Sequence, residues 1–169
     1  MNKRKRTTVF VAQSAIIAAV YALLTVIFSP ISFGLVQFRF SEALTILPVL
    51  TPAAIPGLAI GCLIANLSSP FGAADIIFGT LATLAAAVAS RLAGKITFKK
   101  IPFLSALFPV LINGVVVGLE LTYFTPGEAS FAVFLTAFLS CVAGEAAVCF
   151  VLGIPLYLLL KKINLFKKW

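Results

Sequence analysis

The charged side chains of this chain are gathered into narrow bands, and long apolar runs separate them. Of the 13 Lys and Arg residues, Lys3, Arg4, Lys5 and Arg6 open the chain and Arg91, Lys95, Lys99 and Lys100 sit near its middle. Lys161, Lys162, Lys167 and Lys168 close it, and Arg39 stands alone. The 5 acids (Glu42, Asp75, Glu120, Glu128 and Glu145) all fall between these clusters. An apolar run of about 20 residues crosses the hydrocarbon core of a bilayer as a helix. Basic clusters mark the cytoplasmic ends of such helices, so both termini and the 91–100 loop are expected inside. An even number of crossings must then separate each pair of clusters.

Composition agrees. Of 169 residues, 62% are hydrophobic and 11% charged, against about 25% charged in an ordinary soluble domain. A chain this short cannot hide so much apolar surface in one core. A water-soluble enzyme, a disordered chain and a disulfide scaffold are excluded, and an all-α polytopic membrane protein remains. The absence of histidine removes His triads, His metal sites and imidazole relays. Cys62, Cys141 and Cys149 each lie in an apolar run without a CxxC pair and read as small buried thiols. The net charge of +8 forms no stripe suited to nucleic acid; its partner is the anionic inner leaflet of the lipid bilayer.

Six helices in one domain are expected, after a basic cytoplasmic stretch at 1–8: about 9–29, 41–50, 56–68, 73–93, 102–124 and 129–162. The first begins like a signal peptide, but it is too long and meets Ser29-Pro30 without a small-residue cleavage site, so it is read as a retained span. Pro48, Pro52 and Pro56 cannot share one straight helix. They predict two short helices with a turn at Thr51 to Ile55, both needing shelter from neighbours. Gly153 and Pro155 predict a kink in the last helix. The outer loops would be 30–40, 69–74 and 125–128.

An acid at the centre of a spanning helix costs about 2.5–3.5 kcal/mol on insertion scales, so each one requires a reason. Arg39, Glu42, Asn66, Asp75, Glu120 and Tyr123 come from four helices yet share the outer third of this topology, which points to a site facing outward. Asn113 and Glu120, seven residues apart, lie on one face of the fifth helix, next to Gly114 and Gly118. Glu145 lies deeper, on a stripe with Cys141. Plainer roles stand beside these: an interfacial Arg39–Glu42 pair, Asp75 as a helix cap, and Glu128 as a solvated loop residue. In the first helix, Ala15 with Ala19, and Ala18 with Ala22, make overlapping small-residue patterns that serve either internal packing or docking of another membrane subunit. Neither a phosphate-binding GxxxxGK[ST] nor an Arg ladder is present. With few acids, no histidine and no nucleotide site, the chain reads as a binding subunit driven by an external motor.

The run Val36-Gln-Phe-Arg-Phe-Ser-Glu-Ala-Leu-Thr-Ile-Leu-Pro48 strongly resembles the signature of the QueT family. So does Gly57-Leu-Ala-Ile-Gly-Cys-Leu-Ile-Ala-Asn66, followed by Asp75-Ile-Ile-Phe-Gly-Thr-Leu-Ala-Thr83. The resemblance covers the chain in length and segment order and is most specific over 36–83. It implies a substrate-binding S component of an energy-coupling factor (ECF) transporter: a six-helix membrane protein that captures a queuosine precursor, a 7-deazaguanine, from outside. Its partners would be a transmembrane coupling subunit and two cytoplasmic ATPase subunits, which use the ATP; no cofactor is expected on this chain itself. Family S components dock through small residues of the first helix, where Ala15, Ala19 and Ala22 stand.

Such a ligand suits these residues. A guanine-like edge offers an N1–H and an exocyclic amine that one carboxylate accepts in parallel, with Glu42 the first candidate and Glu120 the second. Arg39, Gln37 and Asn66 would meet the ring carbonyl and nitrogens, with Asn113 on the face of Glu120. Phe38, Phe40 and Tyr123 would stack on the base. An aminomethyl substituent would bring a cation, balanced by Asp75 or a second acid. Two other readings stay open: an S component for another vitamin or cofactor, and a scaffold whose polar groups satisfy only one another.

Overall fold

A computed structural model describes residues 3–33, 38–124, 127 and 129–166. The described residues are almost entirely helical. Four helices are long and apolar enough to cross a membrane: Arg4–Ile27, Asp75–Ala93, Phe103–Phe124 and Phe131–Lys162. Two shorter apolar helices, Phe40–Val49 and Ala54–Asn66, lie between the first and second of these.

The first helix, α1 (Lys3–Ile27), runs from the basic cluster without interruption, so the stretch expected as a free basic terminus is its opening turns. A single turn, α2 (Ser29–Ser32), follows. The segment expected as a short α-helix at 41–50 is instead a 3-10 helix, Phe40–Val49, with Pro48 inside it. Runs of 3-10 helix longer than three or four residues are uncommon. This one is wrapped by α1, α3 (Ala54–Asn66), α4 (Thr80–Ala93), α5 (Phe103–Phe124) and α7 (Ile154–Lys162), and so is sustained by packing on nearly every side. Pro56 falls in the first turn of α3, where its missing N–H costs nothing. The carbonyl of Pro48 accepts a hydrogen bond from Arg91 Nη1 at 2.6 Å, which ties the end of the 3-10 helix to α4.

The remaining spans are interrupted rather than broken. A π segment, Asp75–Gly79, leads into α4. Between α6 (Phe131–Ala146) and α7 lies a second π segment, Ala147–Gly153, so the irregularity expected at Gly153 and Pro155 begins a turn and a half earlier. Such π segments cluster at functional positions, and each of these adjoins a buried acid.

Helix contacts are set by small residues. α1 packs on α3, α3 on α4, α4 on α5, and α5 on α6. A Cβ at Gly57 would stand 2.8 Å from the carbonyl oxygen of Ser14, and one at Gly61 would stand 2.8 Å from that of Ala18. The two glycines therefore let the backbones of α1 and α3 touch. Ser90 and Ser105 donate to each other's carbonyl oxygens at 2.7 and 2.8 Å, joining α4 to α5 without leaving a polar atom in lipid. Gly114 and Gly118 receive the side chains of Phe134, Phe138 and Val142 from α6. Outward, Leu23, Leu81, Leu92, Val115, Leu139 and Val151 present large exposed apolar side chains. They suit contact with acyl chains.

Candidate functional site

The polar residues of the spans turn inward around the 3-10 helix. At three residues per turn, side chains spaced by three eclipse one another. Arg39, which precedes the helix, therefore stands in line with Glu42 and Thr45, and all three are buried. The 3-10 geometry thus directs a cation and an anion toward one interior.

Arg39 does not pair with Glu42 as an interfacial ion pair. Its Nη2 donates to Asp75 Oδ2 at 3.3 Å and to Oδ1 at 3.5 Å, across the bundle. Asp75 is 1% exposed and makes no helix cap. Asn66, from the end of α3, donates to the Asp75 carbonyl oxygen at 2.8 Å and to Cys62 Sγ at 3.4 Å. Gly79 completes this corner. A Cβ there would meet Asp75 Oδ1 at 2.6 Å and Asn66 Nδ2 at 2.7 Å, so only glycine leaves room for both.

A second corner is built on Glu42, which is 0% exposed. The Tyr21 hydroxyl, from α1, donates to its Oε1. Asn113 of α5 lies beside Glu42 and donates to Glu145 Oε1 at 3.2 Å. Thr45 donates to the Glu42 carbonyl oxygen at 2.6 Å, while Cys149 Sγ lies 3.8 Å from Glu145 Oε2. Thr25 and Ser41 share a hydrogen bond of 2.7 Å just beyond Tyr21. Glu120, two turns along α5 on the same face as Asn113, stands within electrostatic range of Arg39 and Asp75.

Several buried polar atoms in this interior have no protein partner. Among the described residues they include Arg39 Nε, Glu42 Oε2, Asn66 Oδ1 and Glu120 Oε1. Native interiors leave few such atoms, and each calls for an explanation. Here they supply one cationic donor and three acceptors, contributed by the 3-10 helix with its capping residue, α3 and α5.

The structure thus brings together Arg39, Glu42, Asn66, Asp75, Asn113 and Glu120. Phe38 is half-buried beside Arg39, its ring edge-on to Phe40 at 5.7 Å, and Phe40 in turn meets Phe28 at 4.7 Å. Tyr123 is not part of the cluster. It is 70% exposed and lines a separate cavity of about 350 Å³ with Leu119, Phe131 and Phe134, because it stands in the last turn of α5, beyond the packed cluster. Gln37 and Glu128 lie outside the described residues. Tyr21 escapes the sequence reading, although Tyr21 and Thr25, four apart on one helix face, were its available signal. Among the docking candidates, Ala15 and Ala19 are exposed along α1, whereas Ala22 is buried with Ala18. The second register packs inside the molecule.

Residues 11–162 match the family described as QueT transporter. A curated relative, the queuosine precursor transporter QueT of Lactococcus lactis subsp. cremoris (strain MG1363), is 40% identical over 83 residues. That alignment covers 48% of this chain and 48% of the relative, so the match spans about half of the relative's length. No solved structure matches the chain.

Proposed function

This chain belongs to the QueT transporter family, a multi-pass membrane protein by its apolar helices, and we propose that it is the substrate-binding S component of an ECF-type importer for queuosine precursors. It resides in the bacterial cytoplasmic membrane with both termini inside, crosses it six times, and captures a 7-deazaguanine such as preQ1, preQ0 or queuine from outside. A coupling subunit and two ATPases then drive delivery inward. The relative's name supports the ligand class. The basic clusters support the orientation.

One observation carries the reading: the unpartnered buried atoms of Arg39, Glu42, Asn66 and Glu120. A purine-like edge presents the complement of this set, with N–H donors for the carboxylates and a carbonyl acceptor for the guanidinium. Glu42 remains the first candidate for the N1–H and exocyclic amine, with Glu120 the second. Phe38, half-buried next to Arg39 in the chain, would stack on the base. A scaffold whose polar groups satisfy one another would not leave these atoms unmatched, which favours a ligand-binding role.

The test is calorimetry on the purified protein in detergent, with 7-deazaguanines beside guanine, riboflavin, thiamine and biotin. Selective binding of the deazaguanines, lost in Glu42→Gln, is expected. Binding of a vitamin instead would move the chain to another S-component specificity. No binding by folded protein would defeat the transport reading.

A further inference from the structure

The charge inventory of the interior is uneven. Among the described residues Arg39 is the single buried cation, whereas Glu42, Asp75, Glu120 and Glu145 are buried acids. Arg39 is committed to Asp75 at 3.3 Å. Asn113 donates to Glu145 and lies beside Glu42, and Cys149 Sγ lies within 3.8 Å of both the Glu42 carbonyl oxygen and Glu145 Oε2. The groups in direct hydrogen-bond contact are neutral: the Tyr21 and Thr45 hydroxyls and the Cys149 thiol. Glu145 is only 2% exposed. Next to it, Glu42 keeps one buried oxygen with no donor. Two carboxylates sharing a low-dielectric site cannot both stay ionised without a proton or a cation between them. Arg39, the one buried cation among the described residues, stands within electrostatic range of both but is already paired with Asp75.

Resting on the function proposed above, we infer that Glu145, oriented by Asn113, receives a protonated amine on the ligand and makes the site selective for a cationic ligand over a neutral analogue of the same ring. An ammonium group brings three donors and one positive charge, which answers the surplus of acid. Asp75 does not take this role, because Arg39 already neutralises it. Glu120 does not either, since it stands two turns of α5 away from Asn113 and within electrostatic range of Arg39 and Asp75. Glu145 is therefore a specificity-determining residue of the site.

Calorimetry with 7-aminomethyl-7-deazaguanine and 7-cyano-7-deazaguanine tests this on the full chain. The aminomethyl compound is expected to bind wild type at least about 30-fold more tightly, the scale of one buried charge pair. In Glu145→Gln the aminomethyl compound alone should weaken, bringing the two to within about fivefold of each other. Equal wild-type affinities overturn the inference, and that comparison needs no variant to fold. Parallel weakening of both compounds in Glu145→Gln also overturns it, by showing a structural role. If folded wild type binds neither compound, the substrate reading itself fails and this inference falls with it, whereas equal binding removes the inference alone.

Discussion

Arg39 and Asp75 meet at 3.3 Å although 36 residues separate them, one preceding the 3-10 helix and the other opening the π segment that leads into α4. Both side chains are withdrawn from solvent. Removing one partner of a buried pair leaves an uncompensated charge and costs about 3–5 kcal/mol. Asp75→Ala should therefore lower the thermal midpoint in detergent sharply. The double variant Arg39→Met with Asp75→Leu should recover much of that loss. A double variant no more stable than Asp75→Ala would show that the ion pair is not what holds this corner together.

The two alanine registers of α1 have different surroundings, and substitutions should separate them. Ala18 faces Gly61, whose position lies 2.8 Å from the Ala18 carbonyl oxygen once a Cβ is added. Ala18→Leu should overpack that contact and destabilise the protein by about 1–3 kcal/mol. Ala19 is exposed, so Ala19→Leu should leave melting unchanged. If α1 docks the coupling subunit, Ala19→Leu should nevertheless abolish its co-purification. An intact complex with Ala19→Leu would remove this face from the interface.

The turn between α4 and α5 carries avoidable strain. Phe98 and Ile101 exchange backbone hydrogen bonds of 3.0 and 2.9 Å, and Lys99 and Lys100 between them take φ of 48° and 68°. Positive φ at both central positions is the geometry that Asn-Gly fills without cost. A residue with a Cβ pays about 1–2 kcal/mol there. Lys99→Asn with Lys100→Gly should raise stability by about 1 kcal/mol or more, read as a higher melting temperature. The same change removes two charges from the basic cluster at 91–100, so protease accessibility in vesicles would report whether orientation depends on them.

Much of the site was legible in the sequence because charge in an apolar run is so conspicuous. Arg39, Glu42, Asp75 and Glu120 could be named without coordinates, since each is expensive in lipid unless a ligand or partner repays it. Pairing was not legible. Arg39 and Glu42 sit three apart and invite a local ion pair, yet Arg39 reaches Asp75 and Glu42 takes the Tyr21 hydroxyl. Tyr123 illustrates the converse. It stands one turn from Glu120 on the same helix, but in the last turn of α5, beyond the packed cluster, where it is 70% exposed.

By itself, the sequence determined that the chain is a bundle of apolar helices and which polar residues lie within them. Hydropathy and charge act residue by residue, so both can be read along a line. Tertiary structure alone decided that Phe40–Val49 winds as a 3-10 helix, that two π segments bend the spans beside Asp75 and Glu145, and that only one alanine register of α1 remains exposed. These outcomes depend on what packs against each helix. A 3-10 run of ten residues survives only where its neighbours surround it, and a buried polar atom finds its partner only after the helices have met.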